Sequence, residues 1–203
     1  MPDYMFQFPI EVCADPAKVS FSLDNTARFL ACWQAMRKES ALPRADELDV
    51  RSMKPLLPEL VLFEVADMMT VRYRLAGTMV VKRLGFEPRG LNLVDLARPE
   101  MRAIIGLGFD LVARRRIGAL LHFTLLFGED EVPARVEQIV LPLEAPNGQP
   151  PRVLSLSSRP AMPGSRAPYG VSQPTEAIED VTLFDIGFGL PDLSALLGTV
   201  AAA

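Results

Sequence analysis

Between positions 56 and 90 the chain reads LLPELVLFEVADMMTVRYRLAGTMVVKRLGFEPRG, and its apolar pattern changes period within that stretch. Residues 60–65 and 71–76 are short alternating runs separated by a five-residue break. Alternation of this kind predicts a β-hairpin. Pairing Val65 with Val71 sets Phe63 opposite Tyr73 and Val61 opposite Leu75. One face of the hairpin then carries those six side chains, and the other carries Leu62, Glu64, Arg72 and Arg74. At Gly77-Thr78 the spacing turns helical, and a turn closes the short helix at Gly85.

Upstream, Asp24 or Asn25 is placed to cap a helix running to about residue 40. Phe29, Leu30, Trp33 and Met36 form one stripe on it, suited to covering the protein's own sheet or to a subunit contact. Pro43 ends that region, and a polar connector leads to the hairpin. A longer helix begins near Pro99, with Met101, Ile104, Ile105, Gly108, Leu111 and Val112 on one face. Gly106 and Gly108 each cost this helix about 1 kcal/mol relative to Ala. Close helix–sheet approach, or room for a small molecule, accounts for that cost.

Three strand-like segments follow, over 119–127, 134–143 and 152–158. An acidic turn at 128–131 joins the first two, and a loop containing Asn147-Gly148 joins the second to the third. Residues 159–174 are rich in Pro, Gly, Ser and Arg and read as a linker or surface wrap. A short strand at 181–186 and a terminal helix at 190–197 complete the expected elements. Helix, two strands, several helices and three strands assemble most simply as an α+β fold, an antiparallel five-stranded sheet with helices on one face. In the later strands the set Leu121, Phe123, Val136, Gln138, Val140, Ser155 and Ser157 alternates with His122, Thr124, Arg135 and Glu137. The first set carries less charge and is assigned inward.

A pocket between sheet and helices would therefore be lined by Phe63, Tyr73, Leu75, Leu121, Phe123, Gln138, Val140 and Ser155. Tyr73, Gln138 and Ser155 would be its polar handles. A filled core without a ligand is the alternative.

Charge and chemistry narrow the classes. The net charge of −4 and pI near 5.1 argue against a nucleic-acid partner. Arg114-Arg115-Arg116 reads as a solvated helix end. Cys13 and Cys32 have no CxxC spacing and read as structural thiols. No segment has the length and apolarity of a membrane span, and the acidic N-terminus lacks a signal pattern, so a cytoplasmic protein is expected. His122 is the single histidine and faces Glu137 across the predicted strand pair, which suits a structural contact. There is no G-x-S-x-G elbow, no calcium-loop alternation in Glu129-Asp130-Glu131 and no phosphate loop. No catalytic or metal site is expected, and a small α+β enzyme is the least favoured reading.

Several phrases resemble the PAS family. They are Leu42-Pro43-Arg44, Leu56-Leu57-Pro58, Tyr73-Arg74-Leu75-Ala76-Gly77-Thr78, residues 85–90 and 93–96, and Val140-Leu141-Pro142-Leu143. Together they span residues 40–158, and they are most similar to an alphaproteobacterial PAS-like subgroup of PAS domain-containing proteins. The resemblance implies a PAS-like sheet in the order 2-1-5-4-3, helices enclosing a pocket, and an N-terminal helix outside the core. It divides the chain into an extension (1–40), the PAS-like domain (41–158) and a linker with tail (159–203). It implies a sensory or regulatory role, signalling through a homodimer or a protein partner. Haem-binding relatives draw an axial histidine from a helix, whereas His122 falls in a strand. Flavin photosensors need a cysteine in the helical region after the second strand, where neither Cys13 nor Cys32 lies. With no haem or flavin signature, a small apolar ligand is the remaining candidate, and a ligand-free interaction adaptor is the alternative.

Overall fold

The computed structural model describes residues 8–38, 41–127, 132–158 and 177–192. In chain order the strands are β1 (Ile10–Cys13), β2 (Leu60–Asp67), β3 (Thr70–Ala76), β4 (Ile117–Phe127), β5 (Val132–Leu143), β6 (Arg152–Ser158) and β7 (Ala177–Asp185). The helices are α1 (Asp24–Ala35), α2 (Thr78–Leu84), α3 (Leu93–Leu96) and α4 (Arg102–Arg115). The acidic turn at 128–131, the Pro/Gly-rich segment from 159 and most of the expected terminal helix lie outside the described residues.

The strands form one sheet in the order β1-β7-β4-β5-β6-β2-β3. The five expected strands, β2 to β6, pair antiparallel as anticipated, and the correction is that two further strands extend the sheet. Seven strands are present among the described residues, and β1 pairs with β7 in parallel. The reason is that β4 still has an open edge after pairing with β5. The tail strand β7 runs along that edge, with Leu121 opposite Val181 and Ala119 opposite Leu183. The four-residue β1 then adds to β7. A strand of four residues has too little period to be legible alone.

In the first hairpin Phe63 stands opposite Tyr73 and Val65 opposite Val71, the predicted register. A bulge between Leu62 and Phe63 then shifts the pairing, so that Leu62 faces Leu75 and Val61 faces Ala76. The expected Val61–Leu75 pair does not form. One extra residue in β3 sends everything beyond it to the opposite face.

Both faces of the sheet are covered. On one, Val61, Phe63, Val71, Val140, Val153 and Leu183 pack with Phe109, Leu111 and Val112 of α4. On the other, Phe29, Leu30 and Trp33 of α1 and Met53 and Leu56 of the connector pack on Leu120, Ile139, Leu141, Leu154, Leu156 and Phe184. The N-terminal helix is thus not outside the core but roofs a second one. Strand β6 explains why, since nearly every residue of it is buried and both its sides need cover. Trp33 is fully buried, and its indole Nε1 donates to the Pro142 carbonyl at 3.0 Å.

The entry to α1 is also set at long range. Neither Asp24 nor Asn25 is its N-cap, a position taken by Leu23, whose side chain makes no cap bond. Instead the buried Glu137 carboxylate on β5 accepts hydrogen bonds from the Ser22 and Leu23 amides at 2.6 and 3.2 Å. A negative charge at this end also complements the helix dipole. The helix ends at Ala35, shorter than the stripe suggested.

Candidate functional site: an apolar cavity under α4

Between the sheet and α2, α3 and α4 lies a cavity of about 480 Å³, within the usual range for a small-molecule site. The apolar face of α4 forms its roof, and all six residues predicted for that face line it. The two glycines of α4 divide the roles proposed for them. A Cβ on Gly106 would sit 1.7 Å from the Met68 carbonyl oxygen, so glycine here lets the helix touch the β2–β3 turn. A Cβ on Gly108 would meet nothing within 4 Å, because Gly108 opens onto the cavity.

Of the eight predicted lining residues, Phe63, Tyr73, Leu121, Phe123, Gln138 and Val140 line it. Leu75 does not: the bulge places it opposite Leu62, and it is 44% exposed. Ser155 is fully buried one step behind the wall, where its hydroxyl accepts from Gln138 Nε2 at 2.8 Å. Ser157, its neighbour on the same face, reaches the cavity instead.

Three groups of lining residues were missed by the sequence reading. Ile10 of β1 and Ile178, Val181 and Leu183 of β7 close one side. Their alternation in β7 is visible in the sequence, but not the neighbour that strand would choose. Arg83 and Arg98 supply positive charge, and Leu93, Leu96 and Phe86 come from the α2–α3 region. Nothing in local pattern marks a helix arginine as cavity-facing.

Tyr73 is the most informative wall residue. Its ring lies 4.7 Å from that of Phe63, which in turn meets Phe109 edge-on at 4.8 Å. The side chain is 5% exposed, and its hydroxyl makes no hydrogen bond to the described residues. Burial pushes the phenol far above its ordinary pKa, with the Arg83 cation pulling weakly the other way. It therefore remains a neutral O–H donor. The Arg83 guanidinium is itself buried and ion-paired with Glu59 at 2.6 Å.

His122 is on the opposite face from the cavity. As predicted it stands opposite Glu137, with Nε2 3.1 Å from that carboxylate. Its Nδ1 also lies 2.7 Å from Asp180 of β7, a partner the sequence did not reveal. Burial alone would raise the Glu137 pKa. The Thr26 side chain, the Ser22 amide and the His122 ring outweigh it and hold the carboxyl below the usual glutamate value. This cluster ties α1, β4, β5 and β7 together rather than forming part of the cavity. Cys13 and Cys32 are both free thiols.

A family model for the PAS domain matches residues 22–157. The chain belongs to the PAS domain family. The match brackets α1 to α4 and β2 to β6, so the PAS α+β fold accounts for the roof and most of the floor of the cavity. Strands β1 and β7 lie beyond it. No curated protein sequence matches the chain. Among solved structures, the LOV protein of Rhodobacter sphaeroides is similar at 16% identity over 52% of this chain and 60% of that one, with a TM-score of 0.36. The chain thus spans about 60% of that protein's length. A fungal LOV domain photoreceptor aligns at 16% identity over 68% of this chain and 92% of that one, TM-score 0.39. The PAS domain of an HTR-like protein from Haloarcula marismortui aligns at 16% over 57% and 93%, TM-score 0.35. Among the described residues, no helix is long and apolar enough to cross a membrane.

Proposed function

We propose that this PAS protein is a sensory module that holds a small apolar molecule beneath α4 and passes its occupancy to a second copy or a partner protein. The observation that carries the reading is the apolar cavity itself, about 480 Å³ in volume. Its roof has a glycine, Gly108, from which a bulky side chain would project into it. Close packing is the norm in protein interiors, and a void of this size forfeits dispersion contacts that an occupant would restore.

The cavity also suggests how occupancy is communicated. Its side wall is made by β1 and β7, the two strands that flank the family-matched range. A molecule pressing on Ile10, Val181 and Leu183 acts directly on the segments that lead out of the domain. Ligand binding would thus alter the order or position of those strands.

Calorimetric titration of the full chain with butylbenzene tests the reading. Saturable one-to-one binding is expected in the wild type and none in Gly108→Phe, which should keep its circular dichroism spectrum. A wild-type chain that does not bind the probe rejects the proposal.

A further inference from the structure

We propose that the cavity selects an uncharged apolar molecule carrying one hydrogen-bond acceptor, such as a ketone or aldehyde carbonyl, and that the Tyr73 hydroxyl is the group that binds it. The inference rests on the cavity being a ligand site and names the class of ligand.

The polar groups on the wall decide this. A buried hydroxyl without a partner is costly, and native structures seldom leave one so. Tyr73 lines the cavity, and its O–H has no partner among the described residues yet is not sealed off by them. What would satisfy it is an acceptor delivered from the cavity. Gln138 spends one of its two amide hydrogens on Ser155 at 2.8 Å, and Ser157 is the other neutral donor on the wall.

Charge weighs against the other classes. Among the described residues no carboxylate lines the cavity, so an ammonium group would be buried without a counter-ion. The two charged wall residues are Arg83 and Arg98. Arg83 is already neutralised by Glu59, and Arg98 has an interaction partner of its own. A carboxylate would have to share a guanidinium that already has a partner, whereas a carbonyl needs only the Tyr73 proton. A site built around a hydrogen bond also discriminates against the analogue that lacks it more sharply than an apolar pocket discriminates by size.

Four probes of similar shape separate the possibilities on the full chain: butylbenzene, butyrophenone, 4-phenylbutylamine and 4-phenylbutanoate. The substitution Tyr73→Phe is expected to weaken butyrophenone about tenfold while leaving butylbenzene within about twofold. On the wild type, the amine and the acid are each expected to bind at least about tenfold more weakly than the ketone. If Tyr73→Phe leaves the ketone-to-hydrocarbon affinity ratio unchanged, or if the acid or the amine binds more tightly than the ketone, the inference is overturned. The charged probes need no variant, so a poorly folded Tyr73→Phe would not protect it. Failure of butylbenzene to bind the wild type sinks the cavity as a ligand site. Butylbenzene binding with an unchanged ratio sinks only the role of Tyr73.

Discussion

Gly106 lies so close to Met68 that a single added methyl would stand 1.7 Å from the Met68 carbonyl oxygen. The obstacle is backbone, which cannot rotate away as a side chain can. Gly106→Ala should therefore cost at least about 3 kcal/mol, at the upper end of ordinary overpacking, in urea denaturation. Gly108→Ala meets open space and should stabilise the helix by up to about 1 kcal/mol. Equal effects of the two substitutions would mean that α4 does not dock on the hairpin turn as described.

Trp33 is the single tryptophan, fully buried under the sheet with its indole nitrogen bonded to Pro142. Removing the ring opens a large void and strands a carbonyl, so Trp33→Ala should cost about 3–5 kcal/mol. Wild-type fluorescence should be blue-shifted and move red cooperatively on unfolding. An emission maximum typical of solvated indole in the native protein would contradict the second core.

The Glu137 carboxylate has a folded pKa below its unfolded value. Its contribution to stability is therefore fully present above the ordinary glutamate pKa and is lost as pH falls through the lowered folded value. Glu137→Gln should cost about 1–3 kcal/mol at pH 7, the scale of hydrogen bonds to a charged group. The gap between wild type and variant should narrow as the solution is acidified past the carboxylate range. Urea melts of both proteins across that range check this, and a gap independent of pH would show that the charge is not what holds the entry to α1.

The bulge in the first hairpin makes Leu75 and Phe63 unequal despite similar sequence settings. Leu75→Ser should change stability by less than about 0.5 kcal/mol, as expected for an exposed site. Phe63→Ala should cost about 3–5 kcal/mol, because the ring is packed between Tyr73 and Phe109. Leu75→Ser should also leave butylbenzene binding unaltered. Weakened binding would return Leu75 to the cavity wall.

Period alone determined much of this protein. Alternation in 60–65 and 71–76 placed Phe63 against Tyr73, and the choice of the less charged face in the later strands put Leu121, Phe123, Gln138 and Val140 on the cavity side. The stripe from Met101 to Val112 was legible as a roof for the same reason: burial follows a repeat that any single element carries in itself. Tertiary structure decided what depends on a neighbour. The bulge that expels Leu75, the docking of β7 and β1 on the free edge of β4, the remote carboxylate at the entry to α1, and Arg83 turning inward are pairings between distant segments. Each segment leaves its partner unspecified, and only packing them together chose which edges and charges would meet.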